Sequence, residues 1–592
     1  GKEGLATSIG HSPLTALIDA GAGSRNAIAE ALTNILWAPL QDGIQSVSLS
    51  ANWMWPCKNE GEDARLYQAV QACSDFAIDL GINIPTGKDS LSMKQKYPDK
   101  DVLSPGTVII SAAAHCNNVR QVIEPVLKNN GTLIYYINMS GTSLELGGSS
   151  FAQVLNKIGQ KTPDINQPDQ FVKSFNCIQQ LIKDGMIYSG HDIGSGGFII
   201  SLLEMCFAEN NLGASIDVST ISNKDIIHKL FHENVGIIFQ ASSEVEEVFD
   251  KAQIPFVSLG EVNKSGTLSV IDGSEEYSFD IAALRDTWYR TSYLLDQHQS
   301  GPQKAKERFE NYKHQPLQFQ FPTSFNGLKP IIDPTKPRPK AAVIREKGSN
   351  SERELANALY TAGFDVKDIH MTDLISGRET LEDVRMIAAV GGFSNSDVLG
   401  SAKGWAGAFQ YNEKAKKALE QFFARKDTLS LGVCNGCQLF IELGLINPDH
   451  IEKPRMDHNQ SNKHECTFTS LIIAENPSVM LSSLSGATLG VWASHGEGRF
   501  RMPYQEEKYN IVAKYAYADY PACPNGSDFN TAMLCDDTGR HLVMMPHIER
   551  SLFQWNWAHY PDGRHDEVSP WIEAFVNARQ WIENINISAN EG

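Results

Sequence analysis

The chain has no long basic run, and its 592 residues carry a formal net charge of −19. Nucleic acid and anionic membrane surfaces are therefore disfavoured partners, and an anionic ligand needs a local positive site such as a helix N-terminus. No apolar stretch approaches the roughly 20 residues of a membrane-spanning helix. Cysteine is sparse, with ten scattered residues, which excludes a disulfide-built scaffold and suits a reducing cytoplasm. There is no secretory leader and no opening Met; the chain begins at Gly1 as if cut from something longer. No short-period repeat is visible, so a solenoid is not expected. What remains, with 42% apolar residues, reads as about three or four globular domains.

Residues 1–120 mix helical and strand signals. Ser24 to Trp37 places Ala27, Ile28, Ala31, Leu32 and Ile35 at helical spacing, whereas Val47–Ala51 and Thr107–Ser111 read as strands. Residues 121–300 include the strands Thr132–Ile137 and Val235–Gln240 with helices between them. Both blocks read as α+β. Residues 301–338 are polar at first and then punctuated by prolines, as in an extended linker. From 339 to 592 short apolar strands alternate with helices, beginning at Ala341–Ile344 and a helix near Ser351–Thr361. That alternation predicts a parallel-sheet α/β domain with active residues at strand C-terminal ends.

The run Leu431-Gly432-Val433-Cys434-Asn435-Gly436-Cys437-Gln438 carries the chemistry. A buried strand ends at Cys434 and a helix follows, with glycines where a sharp turn leaves no room for Cβ. This is a nucleophile-elbow layout with a thiol in place of serine, and the helix dipole favours thiolate there. A buried structural cysteine, or a redox or zinc C-x-x-C, fits the same letters. No second C-x-x-C is present to complete a zinc site. The base lies 113 residues further on, where the apolar run Leu542–Met545 leads through Pro546 to His547 and Glu549. His547 can take the thiol proton and Glu549 can fix its tautomer.

Three candidate sites lie earlier. Glu30 and Asn34 are four apart on a helix, so both oxygens face one side; they can share a Mg²⁺, or they are simply a polar surface pair. Pro85–Lys94 reads as a turn that can cradle an anion through Lys88, Asp89 and Ser90, although it is not a Walker motif. Gly190-His191-Asp192-Ile193-Gly194-Ser195-Gly196-Gly197 leads into an apolar helix. Its amides, at Gly194 and Gly196, can face phosphate and Asp192 can add a metal oxygen; a tight turn with a capping Asp fits equally.

The elbow together with Pro546–Arg550 resembles the triad of class I glutamine amidotransferases. Gly391–Gly400, His495–Arg499 and Ser569–Trp571 resemble the glutaminase domain of the phosphoribosylformylglycinamidine synthase family, large single-chain type. Glu30–Asn34, Ser50–Met54, Gly61–Ala64, Gly87–Lys94 and Leu146–Ser149 are similar to the second half of that family's synthetase part. Departures occur at Ile548, where the family has Pro, at Asn395-Ser396, where it has Tyr-Gly, and at Ser195, where it has a second acidic residue.

The resemblance implies two synthetase lobes, similar to aminoimidazole ribonucleotide synthetase, followed by the glutaminase domain. It implies Cys434 as nucleophile, His547 as base and Glu549 as its orienter, with amides near Gly392 and Cys437 as oxyanion donors. It implies ATP or ADP and Mg²⁺ as cofactors, with Glu30, Asn34 and Asp192 as metal ligands of an auxiliary nucleotide site. The expected partners are glutamine, formylglycinamide ribonucleotide, ATP and the N-terminal half of the same enzyme, in the cytoplasm, without nucleic acid or membrane. The rival expectations are a class I glutaminase fused to an unrelated synthetase, and a non-enzymatic scaffold similar to gammaherpesvirus tegument proteins.

Overall fold

A computed structural model describes residues 2–209, 211–561 and 563–590. The chain divides into two compact units, Gly1–Trp288 and Tyr289–Gly592. The boundary falls before the linker expected at 301–338, because a helix runs through Ile281–Asn311 with a single non-helical residue, Gly301. The first part of that stretch is thus helical; its polar residues are the exposed face of a helix and not a sign of extended chain.

The first unit is built on two main sheets, beside a small two-stranded ribbon of Lys94–Lys96 and Asp101–Leu103. One has four strands in the order Gly4–His11, Thr107–Cys116, Ser48–Met54, Asn83–Ser90. The other has seven, with Leu133–Asn138, Gly236–Ala241 and Ile187–Asp192 at one end of the order. Helix Ala20–Ile35 starts where the Asp19 side chain accepts the Ala22 N–H at 2.8 Å. Its buried, mostly small residues, among them Ala27, Ile28, Ala31 and Leu32, join one core with Tyr135, Phe171 and Phe239 from the second block. Glu30 and Asn34 lie on this helix, and Asp192 ends the strand Ile187–Asp192.

Of the turn expected at Pro85–Lys94, only Leu91-Ser92 turn; Pro85–Ser90 belong to the strand Asn83–Ser90, paired in parallel with Ser48–Met54 so that Asn52 faces Lys88. Gly87 is there because a Cβ would collide with the carbonyl oxygen of Ala51 on the neighbouring strand. The glycine thus serves close strand approach.

The second unit is built on a nine-stranded sheet. Five strands run parallel, in the order Asp365–His370, Lys340–Arg345, Met386–Ala389, Leu429–Val433, His541–Met544. The other four, Thr531–Cys535, Asn510–Tyr515, Glu465–Ile473 and Thr488–His495, are antiparallel. The sheet is therefore mixed: the repeating strand–helix alternation that dictates parallel pairing stops after Glu442, and strands joined without a crossover helix pair antiparallel. Leu429–Val433 is buried at all five positions, as a central parallel strand requires. Among the described residues no helix is long and apolar enough to cross a membrane.

The helix after this strand packs without clearance on its neighbour. A Cβ on Gly436 would fall inside the Ala389 carbonyl, and one on Gly432 would lie 2.6 Å from the Gly436 oxygen. Gly436→Ala is expected to lower the stability of the second unit by about 2 kcal/mol. Urea unfolding of the full chain measures this, and an unchanged midpoint would contradict the packing argument.

Candidate active site

Cys434 sits between the strand Leu429–Val433 and the helix Asn435–Glu442 with φ 52° and ψ −104°, a conformation that residues with a side chain avoid. Its amide donates to the Met544 carbonyl at 2.8 Å, tying the elbow to the strand His541–Met544 that leads to His547. The first helical bond runs from Gln438 N–H to Cys434 O at 3.0 Å. The amides of Asn435, Gly436 and Cys437 therefore stand outside the helical ladder, with the positive end of the helix at the sulfur. The Cys434 thiol lies 3.6 Å from the Ser494 carbonyl oxygen.

His547 is held by its own backbone, whose N–H donates to Trp492 O at 2.8 Å. Its Nδ1 and Glu549 Oε1 are 2.6 Å apart, and both side chains are buried. With Nδ1 engaged, Nε2 is left without an oxygen or nitrogen partner and is available to the Cys434 sulfur. Burial opposes a charge on this ring, but the Glu549 charge and the bonds to Cys434 and Glu549 outweigh it, and the imidazole is pushed up to about 10. Gly391 packs against the pair: a Cβ there would lie 2.9 Å from His547 Cε1 and 3.4 Å from Cys434 Cβ. Cys437 is fully buried, which together with the nearby Cys434 pushes its thiol well above the usual range. It behaves as a core residue.

A directional relay braces the loops around the sulfur. Ser394 N–H donates to Asn435 Oδ1 at 3.2 Å, Asn435 Nδ2 donates to Gln438 Oε1 at 2.8 Å, and Gln438 Nε2 donates to Glu497 O at 2.8 Å. The expected oxyanion donor Gly392 and the nucleophile line one cavity of about 490 Å³, together with Asp397, Gln438, Glu497, Lys463, His547 and Arg550. Burial and the nearby Glu497 charge push the Asp397 carboxyl up. Asn435, Gln438 and Asp397 had no role assigned in the sequence reading. Spacing held a signal for two of them, since Asn435 and Gln438 are three apart on one helix face and Gln438 is one turn beyond Cys434.

The first unit holds a second cavity, of about 410 Å³, lined by Glu30, Gly148, Ser150, Gly194, Ser195 and Glu233 among others. Glu30 accepts the His11 N–H at 2.8 Å; burial pushes its carboxyl up, His11 opposes this, and the charges of Asp192 and Glu233 add to the rise. Asp192 is raised by burial, while His191 and a hydrogen bond from Asn34 oppose the shift. Glu30, Asn34 and Asp192 thus gather, yet among the described residues no group of three or more His, Cys, Asp or Glu stands ready to hold a metal ion. A cation here would need oxygens from a ligand to complete its shell. Lys88, Asp89 and Ser90 lie on the edge strand Asn83–Ser90, where Lys88 and Asp89 are exposed, and none of the three lines this cavity.

The fold and both cavities can now be set beside known proteins. Residues 338–582 match the CobB/CobQ-like glutamine amidotransferase domain, residues 1–115 the FGAR-AT PurM_N-like domain, and residues 130–273 the C-terminal domain of AIR synthase related proteins. The chain is 38% identical to the probable phosphoribosylformylglycinamidine synthase of Arabidopsis thaliana, a chloroplastic/mitochondrial protein, over 98% of this chain and 43% of that protein. It is 36% identical to the Homo sapiens phosphoribosylformylglycinamidine synthase over 98% of this chain and 46% of that protein. The solved PurLQS structure from Thermotoga maritima is similar over 42% of this chain and 99% of that one, at 25% identity and a TM-score of 0.32. The chain spans a little under half the length of these curated relatives. Over the portion it spans, with a glutamine amidotransferase domain and two synthetase-type domains matched along it, the chain belongs to the phosphoribosylformylglycinamidine synthase family.

Proposed function

We propose that Cys434, His547 and Glu549 hydrolyse glutamine and that the ammonia released serves the ATP-driven conversion of formylglycinamide ribonucleotide to its amidine in purine biosynthesis. The observation that carries the reading is the buried 2.6 Å contact between His547 Nδ1 and Glu549, with Cys434 at the elbow beside Nε2. The Cys434 sulfur attacks the side-chain carbonyl carbon of glutamine, and His547 holds the thiol proton. The developing oxyanion is met by the amides of Gly392 and Cys437, each such donor typically worth about 3 kcal/mol. His547 then gives its proton to the leaving nitrogen, so ammonia departs and a γ-glutamyl thioester remains. Water, deprotonated by His547, attacks the thioester and returns the thiol with glutamate. The cavity carries both charge signs, Asp397 and Glu497 against Lys463 and Arg550, which suits the zwitterionic end of glutamine. This geometry disfavours the scaffold alternative, which has no use for a charged, buried His547 at a strained thiol.

The same reading assigns the cavity of the first unit to nucleotide and Mg²⁺, held by Glu30, Asn34 and Asp192 beside the turn at Gly194 and Gly196. A nucleotide bound there would have the auxiliary, structural role that the resemblance implies, its phosphates supplying oxygens that these residues lack; the ATP that activates the amide oxygen of the acceptor would act at the synthetase's other nucleotide site. Lys88, Asp89 and Ser90 have less support as nucleotide ligands, being on an exposed strand edge. The rest of the synthetase is the proposed partner. A cytoplasmic setting suits the ten free thiols.

A diazoketone analogue of glutamine is expected to label Cys434, and excess glutamine to block it; peptide mass mapping decides, and no label on folded protein counts against the reading. Cys434→Ser is expected to abolish glutamine turnover whereas Cys437→Ser retains it, as measured by glutamate release. Glu549→Gln is expected to lower kcat at least 100-fold. It also tests linkage. A His raised from 6.5 to about 10 contributes stability that is full below pH 6.5 and is lost as the pH approaches 10. The stability difference between wild type and Glu549→Gln should therefore shrink across that window in urea unfolding, and a constant difference would refute the assignment.

A further inference from the structure

Most amides of the two glycine-containing loops beside the cavity of the first unit are committed to the fold. In the glycine-rich turn, Gly194 N–H donates to Ser201 Oγ at 3.3 Å, Gly197 N–H to Gly194 O at 3.1 Å and Phe198 N–H to His232 O at 3.2 Å. Across the cavity, Gly147 N–H donates to Lys161 O at 2.8 Å, Gly148 N–H to Ile158 O at 2.7 Å and Ser149 N–H to Leu146 O at 3.3 Å. Two amides differ. Gly196 N–H and Ser150 N–H both donate, each at 2.8 Å, to one oxygen of the Glu233 carboxylate. Every other acceptor in this set is backbone or a short hydroxyl fixed by its own helix. Within these two loops Glu233 is the one long anionic acceptor, able to swing aside; on the opposite wall the His11 N–H donates to the Glu30 carboxylate at 2.8 Å and leaves the loop amides untouched.

We propose that Glu233 is an internal counter-anion that occupies the phosphate position of this cavity in the free protein and is displaced when a phosphate binds, so that Gly196 N–H and Ser150 N–H form the phosphate subsite. Paired N–H groups aimed at a single oxygen are an anion-binding arrangement, and a carboxylate oxygen and a phosphate oxygen satisfy it equally well. The backbone beneath Glu233 is anchored, since Asn234 Nδ2 donates to Ser140 Oγ at 3.1 Å, Thr142 Oγ1 at 3.0 Å and Ser143 O at 3.1 Å. Displacement is thus a rotation of the Glu233 side chain and leaves the loop where it is. It also makes the cavity selective. A bare phosphate would meet the like charges of Glu30, Asp192 and the displaced Glu233, whereas a phosphate accompanied by a divalent cation brings the partner those carboxylates need. The Gly194 amide, singled out from the sequence for phosphate, is internally bonded; the Ser150 amide, which the sequence reading passed over, takes its place.

This proposal rests on the nucleotide part of the reading above. Calorimetric titration of the full chain with inorganic pyrophosphate and with ADP, each with and without Mg²⁺, compares wild type with Glu233→Gln and Glu233→Ala. Both variants are expected to bind pyrophosphate and ADP at least tenfold more tightly than wild type without Mg²⁺, with a smaller gain when Mg²⁺ is present. If Glu233 only clips the two loops together, both variants bind more weakly, and the proposal is overturned while the nucleotide reading stands. If no form of the protein binds either ligand, the nucleotide reading falls with it, and the labelling of Cys434 in the other unit is unaffected. Wild-type protein carrying ¹⁵N-glycine provides a readout that does not depend on the variants folding: the Gly196 amide resonance is expected to move on adding Mg²⁺-pyrophosphate, and a static resonance at saturating ligand would overturn the displacement.

Discussion

Everything at the Cys434 site depends on one backbone conformation, the left-handed φ of 52° at Cys434. A cysteine does not adopt it freely; the cost is of order 1–3 kcal/mol. It persists because the surroundings leave no alternative. The preceding strand is buried on both faces, Gly432 and Gly436 let helix and strand approach until no Cβ fits, and the Cys434 amide is fixed to Met544 on the next strand. The strain therefore sets where the sulfur points, and the same strand pairing brings His547 to it.

The second consequence is electrostatic. His547 and Glu549 are buried together, and burial alone would oppose a charge on the imidazole. The pair works because Nδ1 and the carboxylate share one short hydrogen bond, and the nearby Cys434 adds to the rise of the imidazole. Burial opposes the imidazolium, and only the partners reverse that sign. The first unit shows the opposite case: Glu30 and Glu233 line one cavity with Asp192 close by, and burial and the charges of Asp192 and Glu233 push Glu30 up. One site is electrostatically complete within the chain. The other gathers carboxylates, and that is the ground for proposing a cation there.

Much of this was legible in the residues. The elbow, the proline before His547 and the spacing of Glu549 are short-range patterns, and a buried strand followed by a helix announces where a nucleophile can stand. The helix with Glu30 and Asn34 was readable from periodicity, whereas the glycine-rich turn expected from Gly190 begins only after Asp192, because Ile187–Asp192 pairs as a strand with Gly236–Ala241. The turn expected at Pro85–Lys94 was misread because Gly-Lys-Asp-Ser has the composition of a loop. Its parallel pairing with Ser48–Met54 is a long-range contact that overrides local preference, and Gly87 answers to the neighbouring strand. The mixed character of the large sheet was hidden likewise, because strand order is set by pairing partners far apart in the chain.

The sequence by itself determined the chemical vocabulary: a thiol at a strand-to-helix turn, an imidazole and a carboxylate two residues apart, and glycines where side chains cannot stand. Those are properties of neighbouring residues, governed by sterics and periodicity. Only the tertiary structure decided which groups meet and which amides remain available. It brought Cys434 to His547 across 113 residues of chain, closed the Asn435–Gln438 relay, and gave Glu233 the two amides that no local pattern assigns to it. The reason is that a hydrogen-bond partner or a facing charge is a fact of three-dimensional proximity, and proximity between distant segments comes from sheet pairing and core packing.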